Sequence, residues 1–170
     1  EQKDQLDIIN QSGKHLLSLI NDVLEMSKIE AGQKKLTIKE FDLFFLLDSL
    51  ENSFGLRAVK KGLDLSFARA DNVPQFIRID DGILRQILIN LLSNAIKFVE
   101  EGEIQVKIDA ATEKGKELYL SFQVKDTGLG IKHDELTHIF DPFEQAEAGR
   151  NKEEGTGLGL SMVHGLVKLL

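Results

Sequence analysis

Three polar side chains, Asn90, Asn94 and Lys97, interrupt the apolar stretch NLLSNAIKF at spacings of four and three residues. Residues so separated are neighbours on one helical face. A helix here presents two amides and an ammonium where a core should be, so something polar must meet them. Two glycine segments follow. In VKDTGLGI, Asp126 closes a strand-like run, with Gly128 and Gly130 just after it. Glycine lets a backbone approach a ligand closely or take positive φ, and the carboxylate can accept a hydrogen bond from an amino group. In EGTGLGLSMVHGL, the run Gly155, Thr156, Gly157, Leu158 and Gly159 stands at the mouth of a helix. Unblocked N–H groups and a partial positive charge suit such a helix start to phosphate.

Familiar phosphate schemes do not fit. No Gly-Lys-Ser/Thr follows at P-loop spacing, and neither segment is a dinucleotide fingerprint: His133 and Leu160 stand where third glycines belong. Each feature alone also has a plainer reading. DTGLGI serves equally as a capped turn after a strand, paired asparagines as local caps or surface groups, and Phe140 with Phe143 as core.

The elements that must position these residues are legible from periodicity. Glu1 to about Ala31 carries a heptad-like seam at Leu6, Ile9, Leu16, Ile20 and Val23, widened by Leu17 and Leu24, which predicts one long helix stopped at Gly32. Gly13 fills the slot between Ile9 and Leu16 and suggests close packing there. LTIKEFDL alternates like a strand, Leu43 to about Lys60 is helical and ends at Gly62, and LDLSFA and FIRI are short strands. Asp80 or Asp81 can cap the helix running to Val99. EIQVKIDA and ELYLSFQVKD form a hairpin around ATEKGK. The stretch from Leu129 to Gly155 is irregular, and a last helix begins near Gly157; it is still apolar at Leu170, so the native chain is expected to continue.

The bulk properties narrow the function. A chain of 170 residues with 42% apolar content suits one medium domain, or one domain with an appendage. A formal charge of −7 and a pI near 5.1 argue against a general nucleic-acid surface. Without cysteine there is no disulfide framework and no thiolate zinc site. No apolar run approaches bilayer-spanning length and EQKDQLD is not a signal peptide, which predicts a cytoplasmic piece with no membrane contact of its own; anchoring of a longer protein stays open.

NLLSNAIKF, DTGLGI, IFDPFEQ and GTGLGL, in that order, resemble the ATP-binding domain of sensor histidine kinases, of the Bergerat-fold class shared with gyrase-type ATPases and heat-shock chaperones. SGKHLLSLINDVLEMSKIEAG is similar to the second helix of that family's dimerisation and phosphotransfer hairpin. The resemblance covers nearly the whole chain. It implies an α/β (α+β) two-layer sandwich of a mixed sheet backed by helices on one face, residues 36–170, preceded by one long coiled-coil-like helix, residues 1–33.

By the resemblance, ATP and Mg2+ are the cofactors. Asn94 would give magnesium an oxygen ligand, with Asn90 lining the same site; hydrolytic relatives carry a general-base glutamate at the position of Asn90, and an amide cannot remove a proton from water. Lys97 would lie near the phosphates and, with Asn90, form the catalytic pair. Phe98 would lie against adenine, Asp126 would accept the adenine amino hydrogen, and Gly128 and Gly130 would keep the base pocket open. Gly155 through Gly159 would meet the phosphates. Phe140 and Phe143 fit the phenylalanine box beside a lid from about Glu144 to Glu154, in which Arg150 or Lys152 could reach phosphate. Val99 departs from the family's usual small hydroxyl residue, which puts local hydrogen bonding in doubt.

By the resemblance, the acceptor histidine would belong to a first hairpin helix, expected to lie outside these 170 residues. His15 reads as structural, and His133, His138 and His164 as surface or packing residues. The implied reaction is donation of the ATP γ-phosphoryl group to a histidine outside the chain, then onward transfer to an aspartate of a response-regulator receiver domain, with a homodimer formed through the leader helix. The rivals are a non-catalytic nucleotide-binding or docking module and a hydrolytic ATPase.

Overall fold

The computed structural model describes residues 2–113, 117–145 and 156–170. Helix α1 spans Gln2–Glu30. Its seam residues Leu6, Ile9, Leu16, Leu17, Ile20, Val23 and Leu24 are 40% to 67% exposed. A Cβ at Gly13 would meet nothing within 4 Å among the described residues. The close packing expected there finds no partner among the described residues.

Strand β1, Lys39–Asp42, is shorter than LTIKEFDL suggested, because the alternation before it is not paired and Leu36 and Ile38 stay exposed. It pairs antiparallel with β3, Phe76–Ile79, from Lys39 opposite Ile79 to Asp42 opposite Phe76. Helix α2, Leu43–Lys60, starts where the Asp42 carboxylate accepts the Phe45 N–H at 2.9 Å. That bond satisfies one of the orphan donors of a first turn. Together with a bond from Gln75 it holds the Asp42 carboxyl below its usual range. Gly62, at φ +73°, ends α2 and turns the chain into β2, Leu63–Arg69.

Helix α3, Asp81–Phe98, is capped by Asp80, whose Oδ1 accepts the Ile83 N–H at 3.0 Å. The hairpin consists of β4, Gly102–Glu113, and β5, Glu117–Asp126, in register from Ile104 opposite Asp126 to Glu113 opposite Glu117. Strand β2 runs parallel to β4, from Leu63 opposite Gly102 to Arg69 opposite Ile108. The principal sheet, β2-β4-β5, is therefore mixed, as expected. One departure is that β1 and β3, four residues each, form a separate two-stranded ribbon. Helix α4, Gly159–Leu169, closes the described chain.

Alternation along β4 turns Ile104, Val106, Ile108 and Ala110 inward onto Leu46, Leu50 and Phe54 of α2 and Leu84, Leu88 and Leu92 of α3. A second cluster joins Ile83 and Ile87 of α3 to Met162, Val163 and Leu166 of α4, with Ile29 of α1 against it. Fully burying such a side chain contributes about 1.5–3 kcal/mol. Helix α3 thus has two apolar faces with different neighbours, and Asn90, Asn94 and Lys97 occupy the strip between them. No described helix is long and apolar enough to cross a membrane.

Candidate functional site

The polar strip of α3 forms one wall of an open cleft of about 1290 Å³. Asn90, Asn94, Lys97 and Phe98 line it from α3, Asp126, Gly128 and Gly130 from the end of β5 and the following loop, and Thr156, Gly157 and Gly159 from the approach to α4. The sequence separates these groups by up to 69 positions, and the fold brings them to one concavity.

At one end, the Asp126 carboxylate accepts the Gly128 N–H through Oδ1 at 2.8 Å. Gly128 lies so close to α3 that a Cβ there would stand 3.0 Å from the Phe98 carbonyl oxygen and 2.8 Å from Asp126 Oδ1. The turn is held from behind by Thr127, whose hydroxyl accepts the Glu103 N–H at 3.0 Å. Asp126 is thereby a fixed acceptor in a slot with Phe98 beside it, suited to an amino group on a flat base.

At the other end, the N-cap of α4 is Leu158, and among the described residues no side chain caps the helix. Its first turn therefore offers N–H groups and the positive end of its dipole to the cleft. Asn94 faces this turn: a Cβ built on Gly159 would lie 3.6 Å from its Nδ2 and 3.9 Å from its Oδ1. The Asn90 amide reaches the Met162 sulfur at 3.6 Å. Between the two ends, on the same wall, the Lys97 ammonium sits 5.0 Å from the centre of the Phe98 ring. These groups suit a polyanion. Among the described residues no group of three or more His, Cys, Asp or Glu could hold a metal. The donors here are neutral amides, which fit a hard cation that takes its remaining ligands from phosphate and water.

The rest of the expected set falls in three places. Leu158 is buried beneath α4 and off the cleft wall; its N–H donates to Thr156 Oγ1 at 3.1 Å and its carbonyl accepts from Ser161 and Met162. Phe143 is exposed outside the cleft, at φ +67°, and its N–H donates to the Gly157 carbonyl at 3.1 Å. Gly155, and the lid residues Arg150 and Lys152, lie outside the described residues. Phe140 stacks on His164 with ring centres 5.3 Å apart, and His138 pairs with Asp141 at 3.0 Å, the surface and packing roles anticipated for those histidines. The side chain of His15 is likewise outside the described set. Val99 is fully buried, and its carbonyl accepts from the Lys61 ammonium at 2.7 Å.

Among the lining residues missed from the sequence are three charged ones, Asp22, Arg57 and Lys61. They come from α1 and the end of α2, with no local pattern to mark them. Burial raises the Asp22 carboxyl above its usual range.

Residues 79–170 match the family model described as histidine kinase-, DNA gyrase B-, and HSP90-like ATPase. Hybrid signal transduction histidine kinase B of Dictyostelium discoideum is 38% identical over 170 residues, 99% of this chain and 9% of that protein. Autoinducer 2 sensor kinase/phosphatase LuxQ of Vibrio cholerae is 39% identical over 171 residues, 100% of this chain and 20% of that protein. The chain therefore spans a fifth or less of these two relatives. The crystal structure of full-length ShkA in complex with AMPPNP superposes with a TM-score of 0.82 at 35% identity, over 98% of this chain and 34% of that one.

Proposed function

The chain belongs to the histidine kinase-, DNA gyrase B- and HSP90-like ATPase family, and from that premise we propose that it is the ATP-binding catalytic part of a sensor histidine kinase. Residues 1–33 are assigned to the second helix of a dimerisation and phosphotransfer hairpin and 36–170 to the catalytic domain. Adenine would enter between Phe98 and Asp126, and the triphosphate would run along α3 toward the open end of α4. The observation that carries this reading is the pair Asn90 and Asn94 beside the start of α4, with Lys97 and the fixed Asp126 lining the same cleft.

In the proposed reaction a histidine ring nitrogen outside the 170 residues attacks the γ-phosphorus. The bond to the β,γ-bridging oxygen breaks as the phosphorus–nitrogen bond forms, and ADP leaves. Phosphoryl transfer leaves little covalent chemistry to the protein, so positioning and electrostatics carry the catalysis. Lys97 places a compact positive charge by the phosphates. Magnesium would be held by Asn94 with Asn90 beside it, and when bound it supplies neutralisation of phosphate charge. Asn90 offers no base to activate water, which sets this site against ATP hydrolysis. A receiver-domain aspartate would take the phosphoryl group onward, and homodimerisation would use α1.

Calorimetric titration of the chain with a non-hydrolysable ATP analogue, with and without magnesium and against GTP, tests the binding half. Magnesium-strengthened binding selective for adenine is expected, and no binding at millimolar analogue would refute it. Adding a separately produced hairpin carrying the acceptor histidine tests transfer. Labelled phosphate should move to that hairpin, whereas steady release of free phosphate would favour the hydrolytic reading.

A further inference from the structure

The last turn of α3 receives a positive charge from Lys61, the residue that follows α2. The Lys61 ammonium donates to the carbonyl oxygens of Ile96 at 2.6 Å, Lys97 at 3.1 Å and Val99 at 2.7 Å. These carbonyls point out of the negative end of the helix dipole, and the intrahelical ladder gives end-of-helix carbonyls no partner. The main chain aims the lysine: Lys61 is the C-cap of α2, and Gly62 at φ +73° turns the chain away immediately after it.

We infer that Lys61 is a positioning residue for the nucleotide, acting as a built-in monovalent cation that holds the end of α3 against the base pocket; the inference rests on the nucleotide reading above. The route is short. Lys61 fixes the carbonyls on either side of Phe98, the Phe98 carbonyl is the floor on which Gly128 rests, and the Gly128 N–H holds the Asp126 carboxylate. Three carbonyl oxygens converging on one centre at these distances are also a site that a bare ammonium or potassium ion can fill, as carbonyl rings do elsewhere. An ammonium suits such a cage because its donors spread around a point, whereas a guanidinium presents them in one plane. Because Lys61 is exposed, a small cation can reach the cage once the side chain is removed.

The test is ADP binding by calorimetry to the 170-residue chain and to its Lys61→Ala, Lys61→Met and Lys61→Arg variants. Each is measured in ammonium chloride and in sodium chloride at equal ionic strength. Loss of the charge-assisted bonds is expected to weaken ADP about tenfold in Lys61→Ala and Lys61→Met. Ammonium should recover most of that loss in Lys61→Ala, but not in Lys61→Met, whose side chain fills the cage. The strengthening by magnesium should match the parent in every variant, because Asn94 is untouched. Lys61→Arg should lose about threefold, since its planar fork leaves one carbonyl unmet, and it keeps the test alive if the smaller side chains do not fold. Parent-like affinity in Lys61→Met or Lys61→Arg, or a loss in Lys61→Ala that ammonium leaves unchanged, overturns the inference. Absence of ADP binding by the parent chain would instead overturn the nucleotide reading.

Discussion

Asp126 and Gly157 show how single groups set the two ends of the cleft. Asp126 commits one oxygen to Gly128, and in the proposed site the other would accept the adenine amino group. In Asp126→Asn one of those two donors loses its acceptor and faces an N–H2 group instead. A loss of about 1–3 kcal/mol in ATP binding is expected, read by calorimetry as a drop of about tenfold or more, with adenine no longer preferred over guanine. Gly157 is at φ +70°, and a Cβ there would lie 2.6 to 2.8 Å from the Phe143 backbone. Gly157→Ala should cost at least ~1–2 kcal/mol from the left-handed backbone alone, visible as a lower thermal midpoint, and should displace Phe143. Composition flagged both residues through their glycine segments, because aspartate at a strand end and glycine at a helix mouth have local meaning. Lys61 had no such signal: its three acceptors lie 35 to 38 positions away, a relation created only by tertiary folding.

Among the elements, α3 is tied at both ends to segments distant in sequence. Asp80 is the knot at its start, one oxygen capping Ile83 and the other accepting the Thr37 N–H at 2.7 Å from the link after α1. Burial alone would push the Asp80 carboxyl up, but bonds from Thr37, Ile83 and Gly82, with Lys34 nearby, outweigh it and hold the group below its usual range. A lowered folded value means the stabilisation is fully present above the ordinary aspartate range and is lost as pH falls below it, through the depressed value. Asp80→Ala should cost about 2 kcal/mol, the upper range for a lost N-cap, in urea unfolding at neutral pH. Asp80→Asn should flatten the acid limb of stability between neutral pH and the depressed value. The cap could be read from the sequence because a carboxylate three residues before a free N–H is a local relation. The tie to Thr37, across 43 positions, and the withdrawal of β1 and β3 into their own ribbon could not. Pairing partners for short strands are decided by what the helices leave uncovered.

For the whole molecule, the long helix is the part least satisfied by the rest. Its C-terminal end is seated where Ile29 approaches Gly165 so closely that a Cβ there would meet Ile29 Cγ2 at 2.9 Å. The seam from Leu6 to Val23 stays exposed. Burying each seam Leu or Ile against a second copy would contribute up to ~1.5–3 kcal/mol, so sedimentation should show concentration-dependent dimers, and a Leu16→Lys, Ile20→Lys double variant should run as a monomer. This face was legible from the heptad spacing, which identifies an interface without saying what fills it. Helix α3 is the opposite case: of its eighteen residues only Gly82 and Ile89 are exposed, and its faces are shared among the sheet, α4 and the cleft. Its amide protons can therefore exchange with solvent only when most of the domain opens. Nucleotide at a hundred times its Kd would add about 2.7 kcal/mol to that opening. Deuterium uptake should then slow about a hundredfold at Leu84 and Leu88 as well as at Asn94, so buried positions remote from the ligand would report its arrival without any turnover.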